Sequence, residues 1–138
     1  MWIFVADAGF FSIVKDDSDL LVVRARVRSD LDALRTRYLP ALSATEATSM
    51  RDYPYRGYCR AEDWAFAVAR IALSIRYRNF KAEVLRTQGE ARELLYARVW
   101  TTMLGAEENL LIAERSTPPA RRAPPGGKGR RRSRSPRD

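Results

Sequence analysis

Residues 20–27, LLVVRARV, alternate in character, most clearly from Val23 onward. Leu21, Val23, Ala25 and Val27 fall on one side of an extended chain, and Arg24, Arg26 and Arg28 on the other. A segment so divided must bury one face and wet the other, as a strand of an antiparallel sheet does. Its natural neighbour is FFSIV at 10–14, joined through the turn-forming KDDSD at 15–19, which makes a hairpin. WIFV at 2–5 precedes it across ADAG. The two apolar runs are separate short strands or one strand bent at Gly9.

Helical signals follow. Ser29 is a suitable N-cap for a helix over 30–38, with Asp30 and Asp32 complementing its positive end and Leu31, Leu34 and Tyr38 on one face. Pro40 stops it. Residues 44–49 and 53–60 are candidate strands. In the second, Tyr53, Tyr55, Gly57 and Cys59 share one face, and Arg56, Tyr58 and Arg60 the other. Trp64, Val68, Ile71 and Ile75 line up in a helix over 62–75. A short helix is expected at 79–85. A last helix is expected from Glu90 to Leu104, ended by Gly105, with Leu95, Tyr96, Val99, Trp100, Met103 and Leu104 too apolar to leave in water. The aromatic set Trp64, Phe66, Tyr96 and Trp100 is expected in the core.

Strands mixed with helices, without strict alternation, define an α+β fold. We expect a small antiparallel sheet of about four strands, covered on one face by three helices. The domain should occupy 1–112, with a disordered tail at 113–138.

The tail dominates the charge. Residues 1–115 hold 17 basic and 16 acidic residues, whereas 116–138 hold eight basic residues and a single acid, so +7 of the total +8 lies there. This segment has five of the seven prolines and no aromatic, Val, Ile, Leu or Met. It cannot offset the roughly 1–2 kcal/mol of backbone entropy lost per ordered residue.

The MWIF opening, GFFSIV, LVVRARV, YPYR, YRNFK and YARVW together resemble a family of small uncharacterised bacterial proteins with no established activity. The resemblance spans roughly 1–104 and implies a bacterial cytosolic domain. It implies no catalytic role.

The arginine stripe is the leading candidate site. Arg24, Arg26 and Arg28 on one strand, with Arg56, Tyr58 and Arg60 on another, would line an open sheet face if the two strands share a sheet. Guanidinium groups pair bidentately with phosphates and stack on bases, and single-strand binders mix cations with aromatic rings. The same stripe is also what an ordinary solvated sheet face requires, since arginine stems cover apolar surface. In the tail, Arg130, Arg131, Arg132 and Arg134 form a polybasic cluster suited to weak, non-specific contact with nucleic acid, an acidic protein or anionic lipid. Ser133 and Ser135 within it would lower its charge if phosphorylated. A solvated extension without a role accounts for it equally well.

Much enzyme chemistry is excluded. The chain has no His and one Cys, which removes His-based triads, His metal sites and intramolecular disulfides. Cys59 lacks a His to act as its base and shares the expected buried face with Tyr53 and Tyr55, so it is expected to be structural. GGKG at 126–129 fails as a phosphate loop because Gly129 stands where a hydroxyl residue belongs. Adjacent acids such as Asp16–Asp17 and Glu62–Asp63 belong to a turn and a helix start. No cofactor or metal is expected. No stretch has the length of a membrane span or the pattern of a secretory signal, which points to the cytoplasm. The expected function is a non-enzymatic binding module for protein or nucleic acid. The competing reading is an enzyme using Arg and carboxylate residues in a cleft.

Overall fold

The computed structural model describes residues 1–49 and 52–116. Among them are five strands and four helices, in the order β1 (Trp2–Val5), β2 (Gly9–Lys15), β3 (Leu21–Ala25), α1 (Arg28–Arg37), β4 (Glu46–Ala47), β5 (Tyr55–Cys59), α2 (Ala61–Ser74), α3 (Phe80–Gln88) and α4 (Glu90–Ser116). The fold is α+β. The sheet order is β1-β2-β3-β5-β4 and every pairing is antiparallel. No described helix is long and apolar enough to cross a membrane.

The expected hairpin forms between β2 and β3, with Ile13 opposite Val23 and Ser12 opposite Arg24. β1 and β2 are separate strands rather than one bent strand. Gly9 opens β2 at φ +143°, a conformation that side-chain-bearing residues rarely adopt, and a Cβ there would overlap the Asp30 carboxyl. Any other residue would strain this turn.

Strand alternation sends neighbouring residues to opposite faces, and each face has its own core. Phe11, Ile13, Val23, Ala25 and Cys59 meet Leu31 and Leu34 of α1 and Trp64, Ala67 and Ile71 of α2. On the other face Phe4 and Phe10 stack at 4.5 Å, and Tyr96 of α4 stands edge-on to Phe4 at 4.8 Å. Val84 and Phe80 of α3 complete that smaller core. It covers the β1–β2 end of the sheet and leaves the β3–β5 end open to the hollow described below.

Several boundaries differ from expectation. β3 stops at Ala25 and α1 starts at Arg28, capped by Val27 without a side-chain hydrogen bond, so Ser29 lies inside the helix rather than at its cap. Asp30 lies in the first turn of α1, as expected, but in a buried setting. It is 3% exposed and ion-paired. Tyr53 precedes β5 and packs beside Phe10, on the face opposite the one expected, because the alternation of β5 begins only after Pro54.

The chain divides into two units, Met1–Thr102 and Met103–Asp138. α4 does not end at Gly105. One interior glycine costs about 1 kcal/mol relative to alanine, and the good helix formers around it carry the helix to Ser116. Of the aromatic set expected in the core, Trp64 and Tyr96 are buried, but Phe66 is 68% and Trp100 56% exposed. Leu95, Val99, Met103 and Leu104 are exposed as well. Shared helical spacing placed them on a stripe, but the apolar surface available to cover that stripe ends near Tyr96.

Candidate functional site

β3 and β5 are neighbours, as the arginine face requires. Arg24 lies directly opposite Arg56, and Val22 opposite Tyr58. The Arg24 guanidinium donates from Nη2 to Ser12 Oγ at 2.8 Å and lies 5.1 Å from the Tyr53 ring centroid. Arg26 lies over the same ring at 5.2 Å. Tyr53 is thus buried beneath two guanidinium groups. Among the described residues, no carboxylate forms an ion pair with Arg24, Arg26 or Arg56. The Nε atoms of Arg24 and Arg56 are buried with no hydrogen-bond partner among them.

Two of the six expected sheet residues leave the face. Arg28 is the first residue of α1. Its Nη2 donates to the Thr45 carbonyl at 3.4 Å, and its guanidinium lies 6.0 Å from the ring of Tyr55, which packs on the main core. Arg60 caps α2 beyond the end of β5 and pairs with Glu62 at 3.4 Å. Both positions belong to the helix that follows, Arg28 as the first residue of α1 and Arg60 as the N-cap of α2, whereas Arg26, one residue past β3, stays over the Tyr53 ring on the sheet face. Arg24, Arg26, Arg56 and Tyr58 remain. Arg130, Arg131, Arg132 and Arg134 lie outside the described residues.

Arg24, Arg56 and Tyr58, with Val14, Val22 and the 15–18 turn, line an open hollow of about 440 Å³. Tyr58 is half-buried, and its hydroxyl donates to Glu46 Oε2 at 3.4 Å. Asp16 and Asp17 on the rim form no ion pair with Arg24 or Arg56 among the described residues. Asp16 accepts from the Ser18 and Leu20 backbone N–H groups at 3.0 and 2.9 Å, which holds the turn. Like charges directly opposite on paired strands repel. Glu46 of β4 lies opposite Arg56 on its other side and offsets part of this, whereas the other cross-strand neighbour of Arg24 is the neutral Ser12, so Arg24 is the cation that an anion would relieve most.

A second concavity, of about 230 Å³, gathers Asp7, Tyr38, Ser74, Tyr77, Glu83 and Arg86. This is the place where a carboxylate-and-arginine enzyme would have its cleft. Asp7 accepts from the Tyr38 hydroxyl at 2.8 Å and from Arg37 Nη1 at 2.8 Å. Arg86 holds Glu83 at 2.6 Å and keeps its carboxyl below the usual range. Burial pushes the Tyr38 and Tyr77 phenols up. Each carboxylate is occupied by a guanidinium, and each phenol is further from ionising than a free tyrosine. Cys59 is buried in the main core, its thiol pushed up to about 11 by burial and then by Asp63. It is no nucleophile at neutral pH.

Sequence reasoning missed Ser12 and Tyr53 as members of the arginine face. Ser12 carried a legible signal, since it sits on the strand expected to pair with 20–27. Tyr53 did not, because its face depends on where β5 begins. The chain matches no family model, no curated protein and no solved structure.

Proposed function

We propose that this chain is a binding module whose open β3–β5 face contacts the phosphates of single-stranded nucleic acid. The observation that carries the reading is the cross-strand pair Arg24–Arg56, two like charges in register, neither of which forms an ion pair among the described residues although Glu46 lies opposite Arg56 on β4. Arg26 extends the cationic face. Tyr58 offers the hollow a ring for a base to stack on, a contact worth about 1–3 kcal/mol in single-strand binders. The hollow is open rather than enclosed by a helix, which suits a flexible strand better than a rigid duplex. The basic segment with Arg130, Arg131, Arg132 and Arg134 would add sequence-independent affinity through counterion release. The setting we propose is a bacterial cytoplasm, where a lone thiol stays reduced.

The test is a titration of labelled single- and double-stranded oligonucleotides of equal length with the full chain and with Arg24→Ala/Arg26→Ala/Arg56→Ala. The full chain should prefer the single strand, and the triple variant, verified folded by circular dichroism, should lose that preference. Equal binding of single strands by both proteins would overturn the reading.

A further inference from the structure

Trp2, Phe4, Phe80, Tyr96, Val99 and Trp100 line an open hollow of about 720 Å³. The lining is mainly apolar, and the two tryptophans in it stand well exposed. Trp2 is 71% exposed and Trp100 more than half. Exposed tryptophans beside an apolar depression are the usual anchors of a protein interface. The rim is cationic. Lys81 Nζ lies 4.8 Å from the Trp100 ring centroid, Arg78 stands beside it, and neither has a carboxylate partner among the described residues. The occupant that fits is a helix with a broad apolar stripe interrupted by one acid.

This chain carries such a helix. In α4, Met103, Leu104, Leu110 and Leu111 are exposed and follow helical spacing around Glu107. Glu107 is exposed and has no cation partner among the described residues. Its neighbours on the stripe are apolar, so a partner surface that covers them must also supply a positive charge. We infer that the hollow of one copy receives the 103–111 helix of a second copy, with Glu107 set against the other chain's Lys81. Each copy offers both a hollow and a helix, so the inferred dimer makes the contact twice, once in each direction. It does not involve Arg24, Arg26 or Arg56, so it is independent of the nucleic-acid reading.

Sedimentation equilibrium of the full chain tests this, alongside Lys81→Glu, Glu107→Lys and the double variant. All substituted side chains are exposed, so folding is not at stake, and circular dichroism verifies it. The wild type should be dimeric at about 100 µM. Each single reversal should weaken association by about tenfold or more, equivalent to about 1.4 kcal/mol. The double variant, in which the pair is exchanged rather than lost, should recover most of the loss. A wild-type monomer at that concentration would overturn the inference. So would a dimer indifferent to the single reversals, or a double variant as weak as the worse single.

Discussion

Arg92 holds Asp30 in a bidentate ion pair across 62 residues of sequence, with Nη1–Oδ2 at 2.9 Å and Nη2–Oδ1 at 2.7 Å. The same carboxylate accepts the Phe10 backbone N–H at 3.2 Å. One acid thus ties the start of β2, the first turn of α1 and the first turns of α4 together, at the seam between the sheet's two cores. Removing one member of a buried pair typically costs about 3–5 kcal/mol, because it strands the other charge. Arg92→Met should therefore lower unfolding stability by that order in denaturant titration. Asp30→Asn/Arg92→Met should be less damaging than Arg92→Met alone, since no buried charge is left. A double variant no better than the single would remove the ion pair from the account.

Gly9→Ala combines two penalties at one position: a backbone at φ +143° and a Cβ that meets the Asp30 carboxyl. We expect a loss of about 2 kcal/mol or more in the same titration, within the range for strain at special backbone positions. Gly89→Ala serves as the control. Gly89 also has positive φ but open space around it, so its cost should be smaller.

Trp64 and Phe66 are two residues apart on α2 yet behave oppositely. Trp64 is buried against the main core and Phe66 faces outward. Trp64→Ala should cost about 3–5 kcal/mol through lost transfer energy and a cavity. Phe66→Ala should cost under about 1 kcal/mol. Thermal denaturation of the two variants side by side decides this, and equal losses would contradict the placement of α2.

Cys59 gives the stability a sign in alkaline solution. Its thiol rises from an ordinary 9.0 to about 11 in the folded chain. Between those values the unfolded chain releases the proton first, so the unfolded state binds fewer protons and stability falls as pH rises. The contribution is fully present below about pH 9 and is lost as pH climbs towards 11. Cys59→Ala should flatten the decline in that window. At pH 8 the native thiol should react with iodoacetamide far more slowly than the same chain in denaturant.

The sheet was legible because its signals are local. Alternation in 20–27 and the turn at 15–19 define a hairpin from a few adjacent residues, and the helix around Trp64 follows from spacing alone. The parts that were not legible depend on distant partners. Asp30 reads as a helix-start acid, which it is, but its burial is explained only once Arg92 is brought beside it. Arg28 and Arg60 look like members of a strand face until the strand ends are known. Trp100 shares a stripe with Tyr96, yet burial depends on how far the neighbouring sheet and α3 extend along α4, which no periodicity encodes. The candidate site was accordingly half legible. Arg24, Arg26, Arg56 and Tyr58 lie where alternation puts them, while Tyr53, the ring beneath Arg24 and Arg26, required the structure.

The central claim is that the β3–β5 face contacts phosphates, and the salt dependence of single-strand binding tests it most directly. Each phosphate contact adds about −0.7 to the log–log slope of affinity against salt on single strands. Two chains ending at Ser116 should be compared, one native and one carrying Arg24→Ala/Arg26→Ala/Arg56→Ala, so that the basic segment beyond does not mask the face. If all three arginines meet phosphates, the slopes should differ by about 2, with tighter binding by the native sequence at low salt. Equal slopes and equal affinities in the two chains would contradict the account.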